Sequence, residues 1–253
     1  MTTRTIRSVR SVTDEVTFVE GPATNWIVLT TGEGVELIDA GYPGDAPLVA
    51  ESLEAAGASL GDLRRIWVTH AHTDHIGGIP ELLRAAPQAE VVVDAADVDA
   101  TRGIGRDQVT AAKLGLRLLS PRWLRWTLGA VRSGGLQDVT VPSARAIRPD
   151  DVGDGGVITP VRVAGHTNGS TAFLLDGGRV LATGDALVTH HPTLAGGAPR
   201  PQAIDAVFSH QPERAREAAD TLLRNDATIV LPGHGPAMIR TAAQEGIDGW
   251  RPL

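Results

Sequence analysis

An α/β fold is the class this sequence predicts, and three observations predict it. Short β-rich segments alternate with segments of helical periodicity along most of the chain. Gly, Pro and Thr-Gly steps separate them as turns. A loose internal echo relates the two halves: "GVELIDAG" (34–41) and "GRVLATGDA" (178–186) are both Gly-led strands that end at an aspartate. Two similar α/β halves facing each other are expected, not a solenoid repeat.

The elements follow in order. "EVTFVE" (15–20), "NWIVLTT" (25–31) and "GVELIDAG" are rich in β-branched residues and bounded by turn residues, so they read as strands. "APLVAESLEAAG" (46–57) has apolar residues at helical spacing and a stop at Gly57. "RRIWVTH" (64–70) reads as a buried strand running into a histidine-rich loop. "GGIPELLRAAP" (77–87) opens a helix with Pro near its first turn, and "EVVVD" (90–94) is a strand. Residues of about 97–135 read mostly as helices, broken at "SPRW" (120–123). Strands return at "VITPVRVAG" (157–165), "STAFLLD" (170–176) and "RVLATGD" (179–185). A helix at "QPERAREAADTLLR" (211–224) and a strand at "TIVLPGHG" (228–235) complete the pattern.

With 253 residues, 42% hydrophobic and 21% charged, the chain can bury a large core, and a single domain over 1–253 with a helical insert at about 97–135 is expected. It has no cysteine, which excludes disulfides, thiolate metal ligands and a Cys nucleophile. The net charge of −7 disfavours nucleic-acid binding. Charge is uneven, however. Residues 101–133 hold seven Lys or Arg against Asp107 alone, so that window carries +6 and the remainder −13. The N-terminus lacks an apolar stretch of the kind a signal peptide needs, and no apolar run is long enough to span a bilayer. A cytoplasmic protein without stable membrane insertion is expected.

Four strand-end loops carry polar residues that a core would not select: "HAHTDH" (70–75), "AGHTNGS" (164–170), "TGDAL" (183–187) and "GHG" (233–235). Five of the eight histidines lie in three of them. His70, His72, Asp74 and His75 crowd into six positions directly after a buried strand. Neutral imidazoles and carboxylates are natural ligands for zinc and similar divalent ions. Residues two apart cannot share a helix face, but in a turning loop His70 and His72 can converge on one ion while Asp74 and His75 point to another. His190, His191 and His210 lack such a context and are expected to be surface or loop residues.

These residues resemble the metallo-β-lactamase superfamily. The likeness rests on H-x-H-x-D-H after a buried strand, on "LIDAG" (37–41) before it, and on "GHTNGS", "TGDAL" and "GHG" after it, in that order. The resemblance implies a four-layer αββα sandwich with two metals in a cleft at one edge. It assigns His70, His72 and His166 to one metal, Asp74, His75 and His234 to the other, and Asp185 to a bridge between them. Asp39 corresponds to the aspartate that orients the histidine loop without binding metal.

Two divalent ions about 3.5 Å apart, zinc foremost with manganese or iron as alternatives, would hold a shared water and lower its pKa toward neutrality, leaving a hydroxide ready near pH 7. Asp74, Asp185 and that hydroxide bring −3 against +4, so the site stays cationic enough to stabilise an anionic intermediate. No G-x-S-x-G motif is present, in keeping with a water nucleophile. The absence of Cys excludes lactamases with a Cys ligand. An aspartate at 185 looks like the thioesterase and lactonase branches, and the chain after His234 is too short for the glutathione-binding helical domain of hydroxyacylglutathione hydrolases. The expected reaction is hydrolysis of a small carboxylic ester, thioester or lactone. The alternatives are a mononuclear iron oxygenase like the persulfide dioxygenases, with His70, His166 and Asp185 as its facial ligands, and a β-lactam hydrolase. The basic insert, with Trp123 and Trp126, is expected to supply substrate contacts as a lid, or else to pack on the body or to make a dimer or membrane-surface contact. Tyr42, the single tyrosine, is expected at the cleft mouth. The partner is a small molecule, with a homodimer as a further expectation.

Overall fold

The computed structural model describes residues 4–152, 158–194, 196–241 and 249–253. One sheet is built from β1 (Ser8–Ser11), β2 (Val16–Glu20), β3 (Trp26–Thr31), β4 (Gly34–Ile38), β5 (Leu63–Trp67), β6 (Glu90–Val93) and β7 (Arg145–Ala146), in that order. The first four pair antiparallel and β4 to β7 pair parallel. The second sheet holds β8 (Ile158–Arg162), β9 (Thr171–Leu175), β10 (Val180–Gly184), β11 (Ile229–Pro232), β12 (Met238–Arg240) and β13 (Trp250–Pro252). There β10 and β11 are parallel and the other pairs antiparallel. The strand expected from Val157 is seen from Ile158, since Val157 lies outside the described residues.

The α-helices among the described residues are α1 (Ala46–Ala55), α2 (Thr73–Ile76), α3 (Ile79–Ala85), α4 (Val98–Thr101), α5 (Ala111–Leu114), α6 (Pro121–Arg132), α7 (Pro149–Val152) and α8 (Pro212–Leu223), with short 3-10 turns between some of the elements. Pro121 begins α6 after Ser120, so the break expected at "SPRW" is a helix start, where a missing N–H costs nothing.

The layers follow from the period-2 alternation of strands buried on both faces. In β3, Trp26 and Val28 point into one cluster with Leu37, Val49, Leu53, Ile66, Ile79 and Leu82, between the first sheet and α1 and α3. Ile27 and Leu29 point the other way, into a cluster with Phe18, Ile38, Trp67, Phe173, Leu175, Val180 and Leu231 between the two sheets. A third cluster, with Leu181, Val230, Ala219 and Leu222, lies between the second sheet and α8. Three apolar seams between four layers make an αββα sandwich. Full burial of each large apolar side chain contributes about 1.5–3 kcal/mol, and Trp67 meets Phe173 edge-on across the central seam at 5.7 Å. The echo noted in the sequence has a structural counterpart: β4 and β10 lie in facing sheets, and each has a parallel neighbour on one side.

This layout places the polar loops together. Asp39 follows β4, residues 69–75 follow β5, Asp185 follows β10 and His234 follows β11. The loop bearing His166 joins β8 to β9 and is tied to the first sheet where the Thr171 N–H donates to the Thr69 carbonyl.

Candidate metal centre

Two groups of side chains converge at this sheet edge: His70, His72 and His166, and Asp74, His75, Asp185 and His234. In the first, Nε2 of His70, Nδ1 of His72 and Nε2 of His166 form a triangle with sides of 3.1, 3.1 and 3.0 Å. In the second, Nε2 of His75 lies 3.3 Å from Oδ1 of Asp185, and Nε2 of His234 lies 3.3 Å from Oδ2 of both Asp74 and Asp185. Asp185 also comes within 3.7 Å of Nε2 of His166. It therefore stands between the two groups. The structure brings all seven residues of the expected ligand set to one place.

The far side of most of these imidazoles fixes which nitrogen faces inward. Asp39 accepts from the Thr69 backbone N–H at 2.8 Å and from the Thr69 hydroxyl at 2.7 Å. That hydroxyl has spent its only proton on Asp39, so Nδ1 of His70, 3.0 Å away, must be the donor in their contact. Nδ1 of His75 donates to Asp39 at 2.7 Å, Nε2 of His72 to the Asp107 carbonyl at 2.9 Å, and Nδ1 of His234 to the Ala23 carbonyl at 2.9 Å. Each anchored ring thus turns its other nitrogen toward the centre, the arrangement by which outer hydrogen bonds orient metal ligands. Asp39 adopts φ 63°, a left-handed conformation that Asp tolerates better than most residues.

A divalent cation fits these groups. A tetrahedral ion with Zn–N of about 2.0 Å spaces its nitrogens about 3.3 Å apart, close to the triangle observed. Nε2 of His75 and Oδ1 of Asp185 are buried and lack a hydrogen-bond partner among the described residues. Orphaned buried polar atoms of this kind are costly unless something else satisfies them. Close approach also requires glycine: a Cβ at Gly233 would lie 2.5 Å from Oδ1 of Asp185, and at Gly184, with φ 50°, 2.6 Å from Oγ1 of Thr69.

Electrostatics divide the two groups. Burial, reinforced by His75 and His166, holds His70 well below the usual imidazole range, and burial with His72 alongside lowers His166 to about 3. Burial would also lower His75 and His234, but carboxylates outweigh it. Asp185, Asp39 and Asp74 raise His75 well above its ordinary value, and Asp185 with Asp74 pushes His234 up to about 10. Burial would raise Asp74 and Asp185 in turn, yet His75 and His234 hold both well below the carboxylate range.

Over this floor lies a cavity of about 210 Å³. His72, Asp74, His166, Asp185 and His234 form its polar base, and Val109, Leu114, Trp126, Val131, Ile204 and Phe208 are among its walls. No Lys or Arg lines it among the described residues. Tyr42 does line it, and burial, with Asp74 and Asp185 adding to it, holds its phenol protonated. Of the two tryptophans expected to contact substrate, Trp126 lines the cavity, whereas Trp123 is buried behind the wall, stacked on Phe208 at 5.7 Å.

A further expectation is corrected. His191 lies in a loop, as expected, but not at the surface: it is 2% exposed and lines the cavity. Its ring sits 4.8 Å from His234, 5.1 Å from Phe208 and 5.7 Å from Trp126, and its Nδ1 pairs with Oγ1 of Thr193 at 2.7 Å. Burial chiefly, with His234 adding to it, lowers it to about 3, so it is a neutral wall residue. His190 and His210 are exposed as expected, His210 pairing with Asp107 at 2.6 Å. Sequence reasoning also passed over Asp97. It is buried and accepts from Gly169 N–H and the Thr167 hydroxyl, both at 2.7 Å, and from Ala71 N–H at 3.2 Å. It ties the His166 loop to the His70–His72 loop. The one signal for His191 was its closeness in sequence to Asp185; for Asp97, there was none.

Comparison with known proteins agrees with this geometry. The family model of the metallo-β-lactamase superfamily matches residues 19–234. A protein of Mycobacterium tuberculosis named "Probable metallo-hydrolase" is 31% identical over 195 residues, covering 67% of this chain and 58% of the relative, so the chain spans under two thirds of that relative's length. A hydroxyacylglutathione hydrolase of Vibrio parahaemolyticus is 40% identical over 67 residues, 26% of this chain and 24% of its own. Among solved structures, a Cronobacter sakazakii metallo-β-lactamase with a HARLDQ motif superposes with a TM-score of 0.61 at 22% identity, over 90% of this chain and 78% of that one. A subclass B3 metallo-β-lactamase from a soil metagenome gives 0.61 at 20% identity, over 91% and 80%. At such identities these structures speak for the fold alone. With the family model covering most of its length and the histidine and aspartate loops gathered at one sheet edge, this chain belongs to the metallo-β-lactamase superfamily.

Proposed function

We propose that the protein is a dinuclear metal-dependent hydrolase of uncharged carboxylic esters, thioesters or lactones with an apolar acyl part. The observation that carries this reading is Asp185, which lies 3.3 Å from His75 and His234 of one group and 3.7 Å from His166 of the other. A carboxylate so placed would serve two ions at once. A pair of divalent cations held there would supply an activated water near neutral pH and a Lewis acid for the scissile carbonyl. The seven side chains would hold them: His70, His72 and His166 on one side, Asp74, His75 and His234 on the other, and Asp185 between.

The chain's own residues do the rest. Asp39 and Thr69 keep the lone pairs of His70 and His75 turned inward. Asp74, the more exposed of the two carboxylates and open to the cavity, is held ionised by His75 and His234 and would accept a hydrogen bond from the attacking water. Tyr42 keeps a phenolic O–H beside it. The apolar walls favour an acyl or ring portion over a charged one, since no cation lines the cavity among the described residues. The thioester option draws support from partial matches to enzymes whose names specify such substrates, the Vibrio hydrolase above and an atrochrysone carboxyl ACP thioesterase of Aspergillus fumigatus, 41% identical over 76 residues, 27% of this chain and 17% of its own. The four-residue second group also favours two ions over the single iron of an oxygenase.

The test is metal analysis of the purified full chain, followed by a panel of esters, thioesters and lactones before and after chelation. Two ions per chain, with hydrolysis lost on chelation and restored by zinc or manganese, is the expected result. One iron per chain with oxygen uptake would replace this reading with the oxygenase.

A further inference from the structure

The helical insert has two faces, and the cavity uses only one of them. Trp126, Thr127 and Ala130 of α6 line the cavity, and Trp123 is buried beside them. On the outer side Leu124, Leu128 and Val131, at i, i+4 and i+7, are 46%, 43% and 41% exposed. Before α6, Leu116 and Leu119 are 83% and 80% exposed, and Leu136 just after it is 81% exposed. Val131 and Leu136 also line the cavity, so this apolar surface reaches its mouth. Exposed leucines gathered on one short segment in this way mark an interaction site more often than an ordinary surface.

The charges around the leucines say what covers them. Arg122, Arg125 and Arg132 are exposed on the same helix, and Arg117 lies over the ring of Trp123 on the preceding turn. The only acid from 101 to 133, Asp107, is already engaged by Lys113 at 2.5 Å and His210 at 2.6 Å. A second copy of the chain, meeting this face across a two-fold axis, would set arginines against the same arginines. An anionic occupant meets no such opposition, and protruding leucines among arginines are the pattern of helices that lie in a membrane interface. No helix among the described residues is long and apolar enough to cross a membrane, so the contact is peripheral.

We propose that the outer face of residues 115–136 docks on an anionic lipid bilayer, with Leu116, Leu119, Leu124 and Leu128 dipping among the acyl chains and Arg122, Arg125 and Arg132 on the headgroups. Docking in this way turns the cavity mouth, at Val131 and Leu136, toward the lipid phase. The site can then draw a sparingly soluble substrate from the bilayer.

Flotation of the metal-loaded full chain with phosphatidylcholine vesicles, with and without about one third phosphatidylglycerol, tests this. Binding is expected only with the anionic lipid, and it should fall with added salt. Arg122→Gln with Arg125→Gln should weaken it about fivefold per arginine, and Leu116→Ser with Leu119→Ser should abolish it. Neither pair lines the cavity, so hydrolysis of a soluble monomeric ester should stay unchanged in both variants, which shows that they remain folded. Equal binding to neutral vesicles, no binding to either, or a dimer in sedimentation that the leucine pair disrupts would overturn the proposal. So would selective binding to an acidic protein while anionic vesicles are ignored.

Discussion

The floor and the wall of the cavity are built on different principles. The floor consists of strand-end loops held on their outer side by hydrogen bonds: Asp39 holds Thr69 and His75, Thr69 holds His70, and Asp97 holds the loops of His166 and His72 to each other. The wall is held by aromatic ring contacts, stacked between Trp123 and Phe208 and edge-on from Phe208 through Trp126 to His191. Hydrogen bonds to fixed carboxylates define direction within about 10–20°, as a metal site needs. Aromatic contacts define volume and little else. The difference teaches that chemistry and selectivity reside in separable parts of this molecule, and substitutions should separate them.

The floor should break hardest. Asp185→Ala removes the carboxylate shared by both groups, and kcat is expected to fall about a thousandfold or more, since several kcal/mol of transition-state stabilisation pass through it. The check pairs steady-state rates with circular dichroism, which should show an intact fold. Full activity in that variant would end the bridging role. A step down in size is Asp39→Asn, which keeps the left-handed backbone tolerable but places an amide N–H₂ against donors. Metal affinity, measured by competition with a chromogenic chelator, is expected to drop about 10–100-fold.

The wall should respond in a different currency. Trp126→Ala opens the cavity beside Phe208 and His191 without touching a ligand loop. The expected outcome is a rise of about tenfold in KM for substrates with an apolar acyl chain, equivalent to roughly 1.4 kcal/mol of lost burial, with metal content unchanged. A fall in metal content instead would mean that the wall and the floor are coupled through His191 and His234.

The same division explains what could be read from the sequence. A metal site must concentrate imidazoles and carboxylates on short loops, so six positions from His70 to His75 carried most of the information, and the strand alternation behind them was equally plain. His191 was hidden because its burial is created by Trp126 and Phe208, which lie far from it in the chain. Asp97 was hidden for a like reason: the groups it satisfies, Gly169, Thr167 and Ala71, belong to other loops. The edge strands were the least legible parts of the fold. β1 is mostly exposed and β7 has two residues, so neither shows the apolar run that betrays a buried strand.

A region belonging to neither floor nor wall gives the smallest effect and serves as the control. At the far edge of the first sheet Arg145 donates to both oxygens of Asp151 at 2.7 Å and to Glu90 at 2.8 Å, and Arg65 reaches Glu90 at 3.0 Å. The Arg145 hydrogen bonds hold Asp151 and Glu90 below the usual carboxylate range, Arg65 adding to the effect on Glu90. Because both carboxylates titrate lower in the folded chain than in the unfolded one, their contribution is complete above the ordinary carboxylate pKa of about 4 and is lost as pH falls through the depressed folded values. Glu90 is half exposed, which leaves its pairing screened by water. Arg145→Met is therefore expected to lower Tm at neutral pH by only about 2–4 °C. The gap from the parent protein should close as pH drops below about 4. Hydrolysis and metal content should match the parent throughout. Thermal melts across pH 3–7 at fixed ionic strength are the measurement; a gap that widens toward acid would reverse the sign and show that these carboxylates are not the groups being stabilised.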